Sequence, residues 1–151
     1  MSKSILIVDD KPEIAKVITI QLSKDYDVHS ESNPIEALAW MHAGNIPDLI
    51  ISDVNMPEMD GKTFLKHLKA SSMFNFIPVI ILSSLESSND RIELLEAGAS
   101  DFVLKPFNPQ ELKIRVRNLL KVNVMLLIIG NNMNLIKIEL LLKVKNIMIN
   151  G

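Results

Sequence analysis

The sequence predicts a doubly wound α/β fold, a mostly parallel sheet with helices on both faces. Up to about residue 120, five short β-rich runs alternate with five longer segments of helical periodicity, and successive βα units of this kind indicate an open parallel sheet. Three of the runs (ILIV, LII and VIIL) are continuously apolar, as parallel strands covered on both faces are. Proline stands at the start of three helical segments and glycine at the end of two, which are typical helix boundaries.

The individual elements follow from these patterns. The predicted strands are, in chain order, Ser4–Val8, Asp27–Ser30, Leu49–Ser52, Val79–Leu82 and Asp101–Leu104. The predicted helices begin at Pro12, at Asn33-Pro34, at Gly61 (ending at Ala70), at Ser88 (ending at Ala97) and at Asn108-Pro109. Most of these helices place apolar residues three or four positions apart on one face, as Phe64, Leu65 and Leu68 illustrate in the third.

Composition excludes several classes of function. The 151 residues include no cysteine, so disulfides, zinc–thiolate sites, iron–sulfur clusters and thiol catalysis are ruled out. Sixteen Lys and Arg residues against 18 Asp and Glu residues give a net charge of −2, which does not favour direct nucleic-acid binding. We find no signal peptide and no apolar run of the roughly 18 residues that a membrane span needs. The expected location is the cytoplasm.

The chain divides at about residue 120 into a domain, 1–120, and an apolar tail of unknown role, 121–151. From Leu119 onward only eight residue types occur, and Gly130-Asn131-Asn132 reads as a turn. The segment that follows the turn fits a strand or a helix equally well. Two hypotheses remain open: the tail packs in a dimer, or it is not a selected domain but the product of an AT-rich reading frame shifted late in the gene.

Polar residues follow four of the five predicted strands. Asp9 and Asp10 come after the first, Asp53 after the third, Ser83 after the fourth and Lys105 after the fifth. Function in open α/β sheets gathers at the carboxyl ends of the strands. If strands one and three are neighbours, three carboxylates crowd together, and either one takes a proton or a cation binds among them. Oxygen ligands alone favour Mg²⁺.

Taken singly, each polar residue also has a structural interpretation. Asp10 could cap a helix, Asp53 and Ser83 could belong to turns, and Lys105 could be an ordinary solvated lysine. Together they form a set suited to phosphoryl transfer, in which a carboxylate is the nucleophile. The metal, the lysine and the hydroxyl would then stabilise the charge on the transferring oxygens.

Four stretches of the chain resemble the receiver domain of two-component response regulators. They are Ile5–Glu13, Asp48–Gly61, Pro78–Ser84 and Glu96–Phe107, in the order and spacing of that family. The resemblance covers about four-fifths of the chain. It implies the flavodoxin-like fold of chemotaxis regulators, with strand order 2-1-3-4-5, and a phosphoacceptor function in signalling.

The resemblance also implies a role for individual residues. Asp53 is the phosphoacceptor, and Mg²⁺ is held by Asp9, Asp10, Asp53 and the backbone carbonyl of Asn55. Ser83 and Lys105 bind the phosphoryl group, and Lys105-Pro106 is expected to be a cis peptide.

Further positions are assigned by the same resemblance. Ser83 and Phe102 form the switch, with phenylalanine where many members carry tyrosine. Asn55 and Leu85 stand at two positions that help to set how fast the aspartyl phosphate hydrolyses.

The implied partners are a sensor histidine kinase or phosphotransfer protein upstream, and a downstream protein or second copy on the face formed by helix 4, strand 5 and helix 5.

The chain is not expected to be an enzyme beyond its own phosphorylation and dephosphorylation. The alternative is a Mg²⁺-dependent phosphatase with an aspartyl nucleophile, which needs a second acid where this chain has Asn55. A flavin carrier is disfavoured, because the acidic residues after strand one would repel the FMN phosphate. The three histidines (His29, His42 and His67) are interpreted as structural.

Overall fold

The computed structural model describes residues 2–84 and 88–150, and their side chains except at positions 88, 122–136, 138, 149 and 150. The elements alternate as predicted: β1 (Ser4–Val8), α1 (Pro12–Leu22), β2 (Asp27–Glu31), α2 (Pro34–His42), β3 (Leu49–Asp53), α3 (Gly61–Ala70), β4 (Val79–Ser83), α4 (Ser88–Glu96), β5 (Asp101–Leu104) and α5 (Pro109–Asn150). All four strand pairings are parallel, and the sheet order is β2-β1-β3-β4-β5. The predicted fold class and strand order are confirmed.

The strand register brings the carboxyl ends of the strands to one edge of the sheet. Val8 pairs with Ser52, so that Asp9 and Asp53 both come next along neighbouring strands. Asp53 in turn pairs with Leu82 of β4, and Ser83 pairs with Leu104 of β5. Every polar residue singled out after a strand therefore lies at the same edge.

The core lies on both faces of the sheet. Leu6 and Val8 of β1 pack with apolar residues of α2, α3 and α4 in one buried cluster, which includes Phe64 and Leu94. Because side chains alternate along a strand, Ile5 and Ile7 point to the other face. Ile18 and Leu22 of α1 and Leu112 and Val116 of α5 are buried as well. The continuous apolar runs reflect this double coverage.

Helix starts agree with the predicted boundaries, with one correction. Asn33 Oδ1 accepts the amide hydrogen of Glu36 at 2.9 Å, and Asp60 Oδ1 accepts that of Thr63 at 2.8 Å, so both residues are N-caps. The N-cap of α1 is Lys11, without a side-chain cap. The helix-cap interpretation of Asp10 was therefore wrong, which leaves its carboxylate available for another role.

The tail continues α5 as a helix. The predicted turn at Gly130-Asn131-Asn132 was wrong, because the helix runs through it to Asn150. Glycine costs only about 1 kcal/mol in a helix, which is too little to end one by itself. By its contacts the chain separates into two compact units, Met1–Arg117 and Asn118–Gly151. None of the helices in the described residues is long and apolar enough to cross a bilayer.

The tail yields a testable expectation. Its described apolar side chains are exposed, among them Leu141 at 69% and Met148 at 77%. Exposed apolar surface of this kind is an association liability. We expect a chain truncated at Lys121 to keep the melting temperature of the full chain. In light scattering it should have the mass of a monomer, whereas the full chain should have that of a dimer if the tail packs in one. A full-length monomer whose melting temperature falls on truncation would contradict both hypotheses for the tail.

Candidate phosphoacceptor and metal site

Three carboxylates meet at the carboxyl edge of the sheet. Asp9, Asp10 and Asp53 each place one oxygen within 4.8 Å of the others, and they are the group among the described residues that can hold a metal ion. Asp9 and Asp53 are only 3% and 2% exposed. The buried atoms Asp9 Oδ2 and Asp10 Oδ1 lack a hydrogen-bond donor. Buried carboxylate oxygens without partners are costly, which points to a cation.

Backbone amides fix the orientation of two of these carboxylates. Asp9 Oδ1 accepts the amide hydrogen of Lys11 at 2.9 Å. Asp53 Oδ1 accepts that of Val54 at 2.7 Å and, more weakly, that of Asn55 at 3.4 Å. One oxygen of each carboxylate is thereby held in place, so the other oxygen is directed toward the cluster.

Lys105 supplies positive charge to the same cluster. Its Nζ lies 3.1 Å from Asp53 Oδ2 and 3.9 Å from Asp9 Oδ2, and its side chain is only 15% exposed. The contact with Asp53 Oδ2 is an ion pair rather than a well-aligned hydrogen bond. The Lys105–Pro106 peptide is cis. Lys105 is therefore not an ordinary solvated lysine, since β5 delivers it to the carboxylates.

The electrostatics of the cluster favour a bound cation. Burial raises the pKa of Asp9 above its ordinary value, and repulsion from Asp53 and Asp10 adds to that shift. The amide hydrogen of Lys11 and the charge of Lys105 act in the opposite direction without cancelling it. One ammonium group faces three carboxylates, so negative charge remains in excess.

The donor set fits Mg²⁺. Carboxylate oxygens are the ligands this hard ion prefers, and three of them, one from each aspartate, are buried without a hydrogen-bond donor. The backbone of Asn55, two residues beyond Asp53, runs beside the cluster, while its side chain is exposed.

Of the two predicted switch residues, Ser83 lies at the carboxyl edge of the sheet and Phe102 lies against the apolar core. Ser83 ends β4 and is completely buried, and its carbonyl accepts the amide hydrogen of Lys105 at 2.8 Å. Phe102 of β5 is half-buried and packs against the core cluster that contains Leu94 of α4. Leu85 lies outside the described residues.

None of the histidines, all of which lie in the described part of the chain, belongs to the group of side chains that can hold a metal ion. His29 stacks on Trp40 with ring centroids 4.1 Å apart and contacts Glu31 at 2.8 Å. His42 makes an edge contact with Phe74. These contacts agree with the interpretation of His29 and His42 as structural residues.

A groove beside Lys105 was not predicted from the sequence. It encloses about 510 Å³ and is lined by Glu13, Ile14, Val17, Lys105, Pro106 and Phe107. Val17 is 45% exposed, whereas Ile18 and Leu22 of the same helix are buried. Periodicity identifies the apolar face of a helix but not where along that face the sheet ends.

Comparisons with known proteins agree with the geometry. A family model described as the response regulator receiver domain matches residues 5–117. The response regulator Rre1 of Synechocystis sp. is 38% identical over 119 residues, which are 78% of this chain and 51% of that protein. Hybrid signal transduction histidine kinase D of Dictyostelium discoideum is 39% identical over 116 residues, which are 77% of this chain and 7% of that protein. The chain thus spans about half or less of these relatives.

A solved structure shows the same similarity in three dimensions. The chemotaxis response regulator CheY4 of Vibrio cholerae superimposes with a TM-score of 0.73 at 33% sequence identity, covering 78% of this chain and 98% of that one. The likeness is therefore one of fold and of sequence together.

Proposed function

The chain belongs to the response regulator receiver family, and on that premise we propose that it accepts a phosphoryl group on Asp53 from a histidine kinase or phosphotransfer protein. The observation that carries the proposal is the cluster that Asp53 forms with Asp9 and Asp10. Lys105 Nζ lies 3.1 Å from the Oδ2 atom of Asp53 in that cluster. The transfer is proposed to take place in the cytoplasm. The chain's own phosphorylation and the hydrolysis that reverses it are the only reactions we assign to it.

The geometry supports a simple course for the transfer. A carboxylate oxygen of Asp53 attacks the phosphorus of the donor, an O–P bond forms, and the bond to the leaving group breaks with its electron pair. Lys105 neutralises charge on the transferring oxygens, and the Ser83 hydroxyl donates to one of them. Asp9, Asp10, Asp53 and the Asn55 carbonyl would hold Mg²⁺, which would supply further charge neutralisation when bound.

The proposal is tested with acetyl phosphate as donor and intact mass as readout. We expect the protein to gain one phosphoryl group with Mg²⁺ and none when EDTA removes the metal. Steady release of inorganic phosphate from a phosphomonoester would instead favour the phosphatase alternative. That alternative is weakened by Asn55, since an amide cannot donate the proton that the leaving group needs.

The groove beside Lys105 suggests where the phosphodonor binds. Its apolar lining from α1 and from the segment after β5 opens next to the carboxylates. A protein that presents a phosphohistidine could cover this surface and bring the phosphorus to Asp53. Apolar contacts there give affinity, while the charged cluster directs the phosphoryl group.

The output face is proposed to be α4, β5 and the part of α5 up to Arg117. A phosphoryl group adds charge and strong acceptor oxygens, which draw the Ser83 hydroxyl and Lys105 toward Asp53. We propose that Phe102 then turns inward and changes the shape of this face, where a downstream protein or a second copy binds. The phosphoryl group can shift the equilibrium between the two conformations of this face only through contacts that differ between them.

Ser83→Ala tests this coupling. We expect the variant to be phosphorylated at Asp53 but to respond much less to beryllofluoride, because one of the two donors is missing. Phe102→Ala should likewise separate modification from response. The measurements are the dimer fraction by light scattering and the amide chemical shifts of β5 and α5.

Ser84→Ala is the matched control, since Ser84 is the exposed neighbour of Ser83. It should respond like the unmodified protein. A full response of Ser83→Ala to beryllofluoride would exclude this route.

A further inference from the structure

Gly61, the first residue of α3, packs directly against the backbone of Asp53. Its amide hydrogen is donated to the Val54 carbonyl at 2.7 Å. A Cβ atom at this position would lie 2.3 Å from the Asp53 carbonyl oxygen and 2.8 Å from the Val54 Cα. Its φ is not positive, unlike those of Gly44 and Gly98. The glycine is thus required for space rather than for an unusual backbone conformation.

Strand β3 and helix α3, which meet at this contact, are both firmly anchored. The residues of β3 are all buried, and the strand pairs with neighbours on both sides. Helix α3 is held by the buried side chains of Phe64, Leu65 and Leu68 and by the Asp60 cap on Thr63. An added methyl group would therefore displace the peptide between Asp53 and Val54, where β3 ends, rather than the rest of the strand or the helix.

That peptide also orients the Asp53 side chain. Its N–H is the Val54 amide that donates to Asp53 Oδ1 at 2.7 Å. Its carbonyl oxygen accepts the Ser52 hydroxyl at 2.9 Å, and this is the oxygen that a Cβ at position 61 would strike. Moving the peptide would turn the donor away from Oδ1 and redirect Oδ2, which faces Lys105.

We propose that Gly61 is a positioning residue for phosphoryl transfer: by lacking a side chain, it lets α3 hold the Asp53–Val54 peptide in the orientation that aims the carboxylate. The proposal rests on the proposed function, in which Asp53 is the acceptor. Gly61 acts through that peptide and does not touch the phosphoryl group.

The test compares Gly61→Ala with Leu68→Ala in the full chain, using acetyl phosphate and saturating Mg²⁺ at a temperature where both are folded. We expect Gly61→Ala to be phosphorylated about 10- to 100-fold more slowly, the size of effect that misplacing a reacting group produces. Leu68→Ala lowers the melting temperature but should keep the rate within about twofold, because its cavity lies away from Asp53. Amide resonances of Val54 and Asn55, recorded without phosphodonor, should move in Gly61→Ala only.

A second pair of variants keeps the proposal testable if Gly61→Ala does not fold. Asp60→Ala removes the cap of α3 and should slow phosphorylation, whereas Asn33→Ala removes the equivalent cap of α2 and should not. Loss of the negative charge of Asp60 would by itself make the approach of an anionic donor such as acetyl phosphate easier. A slower phosphorylation of Asp60→Ala therefore cannot come from the change in charge.

The outcomes are distinguishable. An unchanged rate and unchanged Val54 and Asn55 resonances in Gly61→Ala would overturn the proposal, as would equal rates for Asp60→Ala and Asn33→Ala. If the unmodified protein accepts no phosphoryl group, the proposed function fails. The resonances would still decide whether Gly61 sets the orientation of the Asp53–Val54 peptide.

Discussion

Asp53→Asn should abolish phosphorylation, with no gain in intact mass after incubation with acetyl phosphate and Mg²⁺. The amide keeps the shape of the side chain and can still accept the Val54 amide hydrogen, but it is not a nucleophile toward phosphorus. The fold should be retained, because the substitution removes a buried charge that two neighbouring carboxylates repel. We therefore expect loss of the reaction without loss of structure.

Asp48→Asn provides the control for that result. Asp48 lies just before the opposite end of β3, where its Oδ2 accepts the Ser4 amide hydrogen at 2.7 Å. This variant carries the same chemical change far from the cluster and should gain one phosphoryl group. If Asp53→Asn still gained a phosphoryl group, the acceptor would have to be assigned elsewhere.

Asp9→Asn should stabilise the metal-free protein and weaken its response to Mg²⁺. The charged form of Asp9 is disfavoured by burial and by its acidic neighbours, so a neutral side chain of the same shape removes that penalty. The expected gain is on the order of 1 kcal/mol, or about 4 °C in melting temperature. Added Mg²⁺ should raise the melting temperature of the unmodified protein and raise that of the variant much less.

The pH dependence of this gain has a definite sign. A carboxyl whose folded-state pKa lies above its unfolded value binds more protons when folded, so stability falls as pH rises between the two values. Because the pKa of Asp9 is raised, its penalty is absent below about pH 3.9, the ordinary value for aspartate, and complete above the raised value.

Melting curves without Mg²⁺ at several pH values check this expectation. The advantage of Asp9→Asn should grow as the pH rises from the acid limit, where it should disappear, toward pH 7. Asp27→Asn, which removes the same charge from an exposed position of β2, should show no such trend. A variant less stable than the unmodified protein at pH 7 would contradict the prediction.

Much of the fold could be predicted because the physical signals are local. Continuous apolar runs identify strands covered on both faces, and Asn33-Pro34 marks a helix start that the structure confirms with a side-chain cap. Because functional residues gather at the carboxyl ends of parallel strands, Asp9, Asp10 and Asp53 were expected to meet if strands one and three are neighbours. The family resemblance implied that strand order, and the structure confirms it. The ends of β2, β3 and β4 each lie one residue beyond the prediction, since alternation and apolarity do not mark where pairing stops.

Other features depend on contacts that no local pattern encodes. The start of α1 at Pro12 was predicted, but its missing side-chain cap was not: Lys11 is the N-cap residue, and Asp9 Oδ1 accepts its amide hydrogen. The space requirement at Gly61 arises from the approach of two segments in three dimensions. The turn expected at Gly130 failed because weak local preferences do not outweigh a long helical context.

The ion pair between Lys105 and Asp53 also bears on how the chain becomes competent during its synthesis. Asp9 and Asp53 leave the ribosome well before Lys105, so a nascent chain carries the acidic residues without their ammonium partner and without β5. Contacts between residues so far apart in sequence form late in folding. An unfinished chain therefore lacks both the ammonium group that offsets part of the negative charge of the cluster and the strand that delivers it.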